Sequence, residues 1–117
     1  MKIFKPFADA IRGIILSIKQ EKHVRFHLFA TFFILILSYS LKINIYDFFI
    51  CLLLFAIIWS GELFNTCIEQ ICNILRDKYK LPYEGSRDIR DIAAGAVLFQ
   101  AIMAAIIGVI IFWKYLF

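Results

Sequence analysis

The sequence predicts an all-α membrane protein, an N-terminal amphipathic surface helix followed by three transmembrane helices, working as an oligomer. Three observations lead there. Hydrophobic residues fill 62% of the 117 positions, and the mean hydropathy is +0.81; an ordinary soluble domain is about 45–50% apolar. Three segments, 24–41, 46–75 and 92–115, are long enough to cross a bilayer, whose core takes roughly 20 helical residues. Eleven of the thirteen Lys and Arg lie on one side of those segments. Residues 1–117 read as a single integral-membrane domain, with no repeat, low-complexity tract or Gly/Ser linker.

Residues 1–22 mix charge and apolar side chains, without the long apolar core or small-residue cleavage site of a secretory signal. Within them Phe4, Phe7, Ala8, Ile11, Ile14, Ile15 and Ile18 recur at helical spacing, with Lys5, Asp9, Arg12 and Lys19 elsewhere on the wheel. A helix of that kind lies in the membrane surface. The first span ends at a short loop, Lys42–Asn44. The second covers 30 residues, so it tilts or projects beyond the hydrocarbon. A loop of mixed charge, Arg76–Arg87, carries Pro82 and Gly85, and Ser86 reads as the N-cap of the third span. That span carries small residues at i and i+4, Ala101/Ala105 and Ala104/Gly108, which allow close helix–helix approach. Three thin spans bury little against one another, so self-association is expected.

Lys and Arg also set the orientation. Lys2, Lys5, Arg12, Lys19, Lys22 and Arg25 precede the first span, and Arg76, Lys78, Lys80, Arg87 and Arg90 separate the second from the third. Only Lys42 and Lys114 lie elsewhere. The N-terminus and the 76–90 loop are therefore expected in the cytoplasm, and the C-terminus outside. The net charge of +4 is this asymmetry, not a nucleic-acid surface. Cys51, Cys67 and Cys72 form no metal-ligand spacing and read as buried, inert thiols.

The chemistry concentrates in the second span. Glu62, Asn65, Glu69 and Asn73 fall within roughly 80° of one another on a helix. A charged residue inside a span costs roughly 2.5–3.5 kcal/mol on insertion scales. Two carboxylates on one stripe therefore call for a partner or a task. Glu69 is expected near the headgroups, with Glu62 roughly 10 Å deeper at 1.5 Å per residue. The deeper one could take a proton from a lipid hydroxyl, and the shallower one could hold a divalent cation carrying phosphates. The plainer reading is that the stripe glues helices together, for which Asn alone would suffice. Glu21 could add an oxygen ligand or be a solvated charge, and Arg25 and His27 read as interface anchors. Arg87, Arg90 and Asp91 gather at a helix N-terminus, where guanidinium suits phosphate; an anchor on the basic side would look the same. Neither G-x-x-x-x-G-K-(S/T) nor G-x-G-x-x-G occurs, so ATP chemistry here would use neither a Walker fold nor a protein-kinase fold.

With these residues in view, the chain resembles the small bacterial integral-membrane lipid kinases, the diacylglycerol and undecaprenol kinases. Their signature, E-x-x-N-(S/T)-A-(I/V)-E-x-x-x-D, reads here Glu62-Leu-Phe-Asn65-Thr66-Cys67-Ile68-Glu69-Gln-Ile-Cys-Asn73. The family's A-K-D-x-A-A-G-A-V is similar to Ile89-Arg90-Asp91-Ile92-Ala93-Ala94-Gly95-Ala96-Val97, and E-R-N-x-R-I-H to residues 21–27. The resemblance implies Glu62 as general base for the lipid hydroxyl, and Asn65 as a positioning group at the reacting centre. It implies Glu21 and Glu69 as ligands of Mg²⁺ with ATP, and Arg90 and Asp91, with Asn73 nearby, as nucleotide contacts. It further implies a homotrimer with shared sites. Three departures stand out: Asn73 replaces Asp, Arg90 replaces Lys, and the loop around Leu81–Gly85 is a few residues longer.

The expected function is therefore ATP-dependent phosphorylation of a membrane lipid alcohol, diacylglycerol first and undecaprenol as the alternative, with Phe4–Ile18 lining the lipid entrance and Glu62 and Arg25 on the lipid side. The competing reading from another class is a non-enzymatic assembly or permeation subunit.

Overall fold

The computed structural model describes residues 2–117. Four helices follow in order: α1 Phe4–Gln20, α2 Lys22–Leu41, α3 Ile45–Asp77 and α4 Tyr83–Leu116. The described residues contain no strand, and α2, α3 and α4 are long and apolar enough to cross a membrane. The all-helical membrane architecture expected from composition is thus the observed one. At 33 and 34 residues, α3 and α4 are each about 50 Å long at 1.5 Å per residue, well beyond a hydrocarbon core of about 30 Å. Their ends therefore stand in the headgroups or in water.

Each junction has a local cause. Glu21 adopts an extended conformation (φ −112°, ψ 121°) between α1 and α2 and separates them. The Arg25 guanidinium donates to the carbonyls of Ile18 (3.0 Å) and Lys19 (2.9 Å), satisfying carbonyls that the end of α1 leaves open. α1 keeps its apolar face bare: Phe4, Phe7, Ile11 and Ile15 are exposed while Ser17 is buried, as suits a helix lying in the membrane surface. Lys42 closes α2 in the left-handed region (φ 53°), and its N–H reaches the carbonyls of Ser38 and Tyr39. Asn44 opens α3, its Oδ1 accepting the Asp47 N–H at 2.9 Å.

α4 packs along α3, α2 packs on α3, and α1 lies against α2 and α3. Gln70 Nε2 donates to Gln20 Oε1 at 2.8 Å, tying the end of α1 to α3. This basic end of the bundle also carries the Lys78–Pro82 turn. At the opposite end, Asp47 is buried and accepts from Tyr115 Oη (2.6 Å), Lys114 Nζ (3.0 Å) and Asn44 Nδ2 (3.1 Å). The Asn44 N–H in turn donates to Tyr115 Oη. One carboxylate thereby fastens the start of α3 to the end of α4. Replacing Asp47 with Ala leaves these donors without their acceptor; we expect a lower midpoint of thermal unfolding in detergent, by circular dichroism, with no change in substrate KM.

Several sequence expectations are corrected. Ser86 is not an N-cap. α4 starts at Tyr83, after Pro82, and Ser86 is buried in its first turn, donating from Oγ to the Tyr83 carbonyl. The helix precedes the apolar stretch that began at residue 92 because backbone bonding continues into water wherever no breaker stops it. α2 likewise starts at Lys22, ahead of residue 24, and ends at Leu41, while α3 passes both ends of 46–75. Cys51 and Cys72 are buried as expected, but Cys67 is exposed, since it sits about 140° around α3 from Glu62. At Gly108 of α4 no other helix of this chain comes close. Nothing lies within 4 Å of a Cβ built at Gly108. Close approach occurs instead at Gly61, where a Cβ would overlap Gln100 Oε1.

Candidate active site at the basic end of the bundle

The polar stripe of α3 faces α1, α2 and α4 rather than lipid. Glu62 is 4% exposed. Its Oε1 lies 2.9 Å from His27 Nε2 of α2, and its backbone carbonyl accepts from Thr66 Oγ1 at 2.9 Å. One turn on, Asn65 Nδ2 donates to Glu69 Oε1 at 3.3 Å, while Asn65 Oδ1 is buried without a hydrogen-bond partner. Buried acceptors are nearly always paired in native proteins, so an orphan carbonyl between two carboxylates marks a place built for something else.

Glu21, at the α1–α2 break, shares this region. Its carboxyl is held above the usual value, first by burial and next by the charge of Glu69; His23 and Arg25 pull it down, and Glu62 adds a smaller upward push. Two carboxylates that repel each other are relieved by a divalent cation. Among the described residues, no group of three or more His, Cys, Asp or Glu could hold a metal ion. The all-oxygen pair still fits Mg²⁺, which is commonly held by one or two carboxylates with the remaining positions filled by phosphate oxygens and water.

At the end of the stripe Asn73 Oδ1 accepts from Arg90 Nη2 at 3.0 Å. Arg90 Nε also donates to Ser86 Oγ at 3.2 Å, and its guanidinium lies over the Tyr83 ring at 5.6 Å. The two residues that depart from the family's pattern therefore touch, and an Asn–Arg pair bridges α3 and α4. Asp91 turns elsewhere, toward Arg87 at 3.8 Å on an exposed face. Arg25 is engaged with α1 carbonyls. The structure thus brings Glu62, Asn65, Glu69 and Glu21 into one neighbourhood, sets Asn73 and Arg90 beside it, and leaves Asp91 and Arg25 facing other partners.

His27 was not among the expected site residues. Its partner lies 35 positions away on another helix, so no spacing in the sequence signals the pair. His27 also lines an apolar cleft of about 540 Å³ between α2, α3 and α4, whose walls include Phe26, Thr31, Trp59, Ala104 and Gly108. Trp59 Nε1 donates to Thr31 Oγ1 (3.0 Å), and Thr31 Oγ1 donates to the His27 carbonyl (2.7 Å).

Comparison with known proteins gives the family. The family model for prokaryotic diacylglycerol kinase matches residues 8–112. Undecaprenol kinase of Bacillus subtilis (strain 168) is 34% identical over 111 residues, covering 95% of this chain and 88% of that protein. No solved structure matches the chain. The chain belongs to the prokaryotic diacylglycerol kinase family and is a membrane lipid kinase, an enzyme that transfers phosphate to a lipid alcohol.

Proposed function

We propose that this enzyme moves the γ-phosphoryl group of ATP to the hydroxyl of undecaprenol, giving undecaprenyl phosphate. The observation that carries the choice of acceptor is the likeness to an undecaprenol kinase across 95% of the chain. The family model's own description favours diacylglycerol as the second reading, the one expected first from the sequence.

In this proposal Glu62 accepts the hydroxyl proton as the lipid oxygen attacks the γ-phosphorus and the bond from that phosphorus to the β,γ-bridging oxygen breaks, releasing ADP. Glu69 and Glu21 would hold Mg²⁺. The metal would spread the charge that builds on the ATP phosphates. Asn65, with its free carbonyl and its bond to Glu69, positions groups at the reacting centre. Arg90 and Asn73 border the nucleotide from α4 and α3, and Asp91 reaches it after leaving Arg87. Arg25 braces the α1–α2 break on the lipid side, and α1 guides the lipid in. Most of the rate comes from placement and electrostatics, because phosphoryl transfer needs little covalent help. The working form is a homotrimer with sites shared between subunits, a reading supported by the open space at Gly95 and Gly108 of α4. All of residues 1–117 act as one domain, with the N-terminus and the Lys78–Pro82 turn in the cytoplasm and the C-terminus outside.

The test is a radiolabel transfer assay. Purified protein in lipid-supplemented micelles receives γ-labelled ATP and Mg²⁺, with undecaprenol and diacylglycerol offered separately. We expect label in the undecaprenol extract. Label in the diacylglycerol extract alone would overturn the acceptor assignment, and label in neither would overturn the proposal.

A further inference from the structure

We propose that His27 is a positioning residue for phosphoryl transfer, presenting the Glu62 carboxylate to the lipid hydroxyl through the contact of its Nε2. The inference rests on the kinase reading above and deepens it.

The geometry is specific to one pair. His27 Nε2 lies 2.9 Å from Glu62 Oε1, and the two side chains are 17% and 5% exposed. The hydrogen bond that Thr66 makes to Glu62 goes to its backbone carbonyl. His27 is therefore the polar side chain that meets the buried carboxylate. The imidazole is itself held: the Phe26 ring meets it edge-on at 5.4 Å, and the Trp59–Thr31–His27 chain fastens this turn of α2 to α3.

A polar partner at Oε1 fixes the orientation of the carboxylate and leaves Oε2 for the hydroxyl. Without that partner the carboxylate is free to turn, and the hydroxyl loses its aligned acceptor.

The experiment compares His27→Gln, which retains a polar N–H, with His27→Leu, which has none. Rates are read at saturating lipid and Mg²⁺ while ATP is varied. We expect His27→Leu to lose about 10–100-fold in kcat, the usual size for losing a group that orients a site residue, with the KM for ATP unchanged. His27→Gln should recover most of that kcat. A kcat in His27→Leu equal to the wild type overturns the inference, as does a folded His27→Gln with a kcat no higher than that of His27→Leu. Should His27→Leu fail to fold, His27→Ala takes its place in the same comparison. Absence of transfer by the wild-type protein to any lipid alcohol would instead overturn the kinase reading, and this inference with it.

Discussion

Glu62→Gln is expected to leave a folded enzyme whose turnover is lower by about 10²–10⁴-fold, the range typical of losing a general base. The substitution is nearly isosteric, and a Gln carbonyl can still accept from His27 Nε2, so the α2–α3 contact survives. The carbonyl of residue 62 still accepts from Thr66, because that bond uses the backbone. What disappears is the ability to take a proton. The loss should therefore appear in kcat, with the KM for ATP little changed, in protein whose circular dichroism and elution from a sizing column match the wild type. Normal turnover in such a preparation would remove Glu62 from the role of base and leave the stripe as helix glue. The competing reading of a non-enzymatic assembly subunit conflicts with the family membership.

The second large effect is expected at Glu69. Glu69→Gln should raise the Mg²⁺ concentration needed for half-maximal rate by at least ~10-fold, the scale of metal-affinity losses when a site is disturbed. The physical reason is the nearness of a second carboxylate, Glu21. The charge of Glu69 pushes the Glu21 carboxyl upward, second only to burial, and a cation between the two would relieve both. Protonation of a raised carboxyl competes with the metal, so Mg²⁺ affinity in the wild type should grow as pH rises through the Glu21 titration. With Glu69 neutral, the Glu21 carboxyl should move back down toward its ordinary range, and the remaining pH dependence of Mg²⁺ affinity should shift to lower pH. Rates measured across a Mg²⁺ series at several pH values test both effects. An unchanged Mg²⁺ requirement would take Glu69 out of the metal site.

The site was legible in the sequence where it lies on one helix. Residues 62, 65, 69 and 73 announce a common face through the 3.6-residue period, and their cost in a membrane marks them as purposeful. Glu21 was legible only as an acid beside a span; its approach to Glu69 depends on the break at residue 21 that swings α1 against α3. Arg90 was expected at a phosphate, and the bond that it makes to Asn73 joins residues 17 apart in the chain. His27 was passed over because its partner belongs to another helix, and periodicity carries no information across helices.

Composition and spacing alone determined that the chain is a membrane protein, that it holds three long apolar helices behind an amphipathic one, and that its acids form one stripe. These properties are local: transfer free energy sums along a segment, and helical periodicity is intrinsic to the backbone. Only the tertiary structure decided which helix faces the stripe, that His27 meets Glu62, that Asn65 keeps an unpaired carbonyl, and that Asp47 locks the far end. Those depend on the direction in which each helix leaves its turn and on side chains meeting across interfaces, and both arise from packing among residues far apart in the chain.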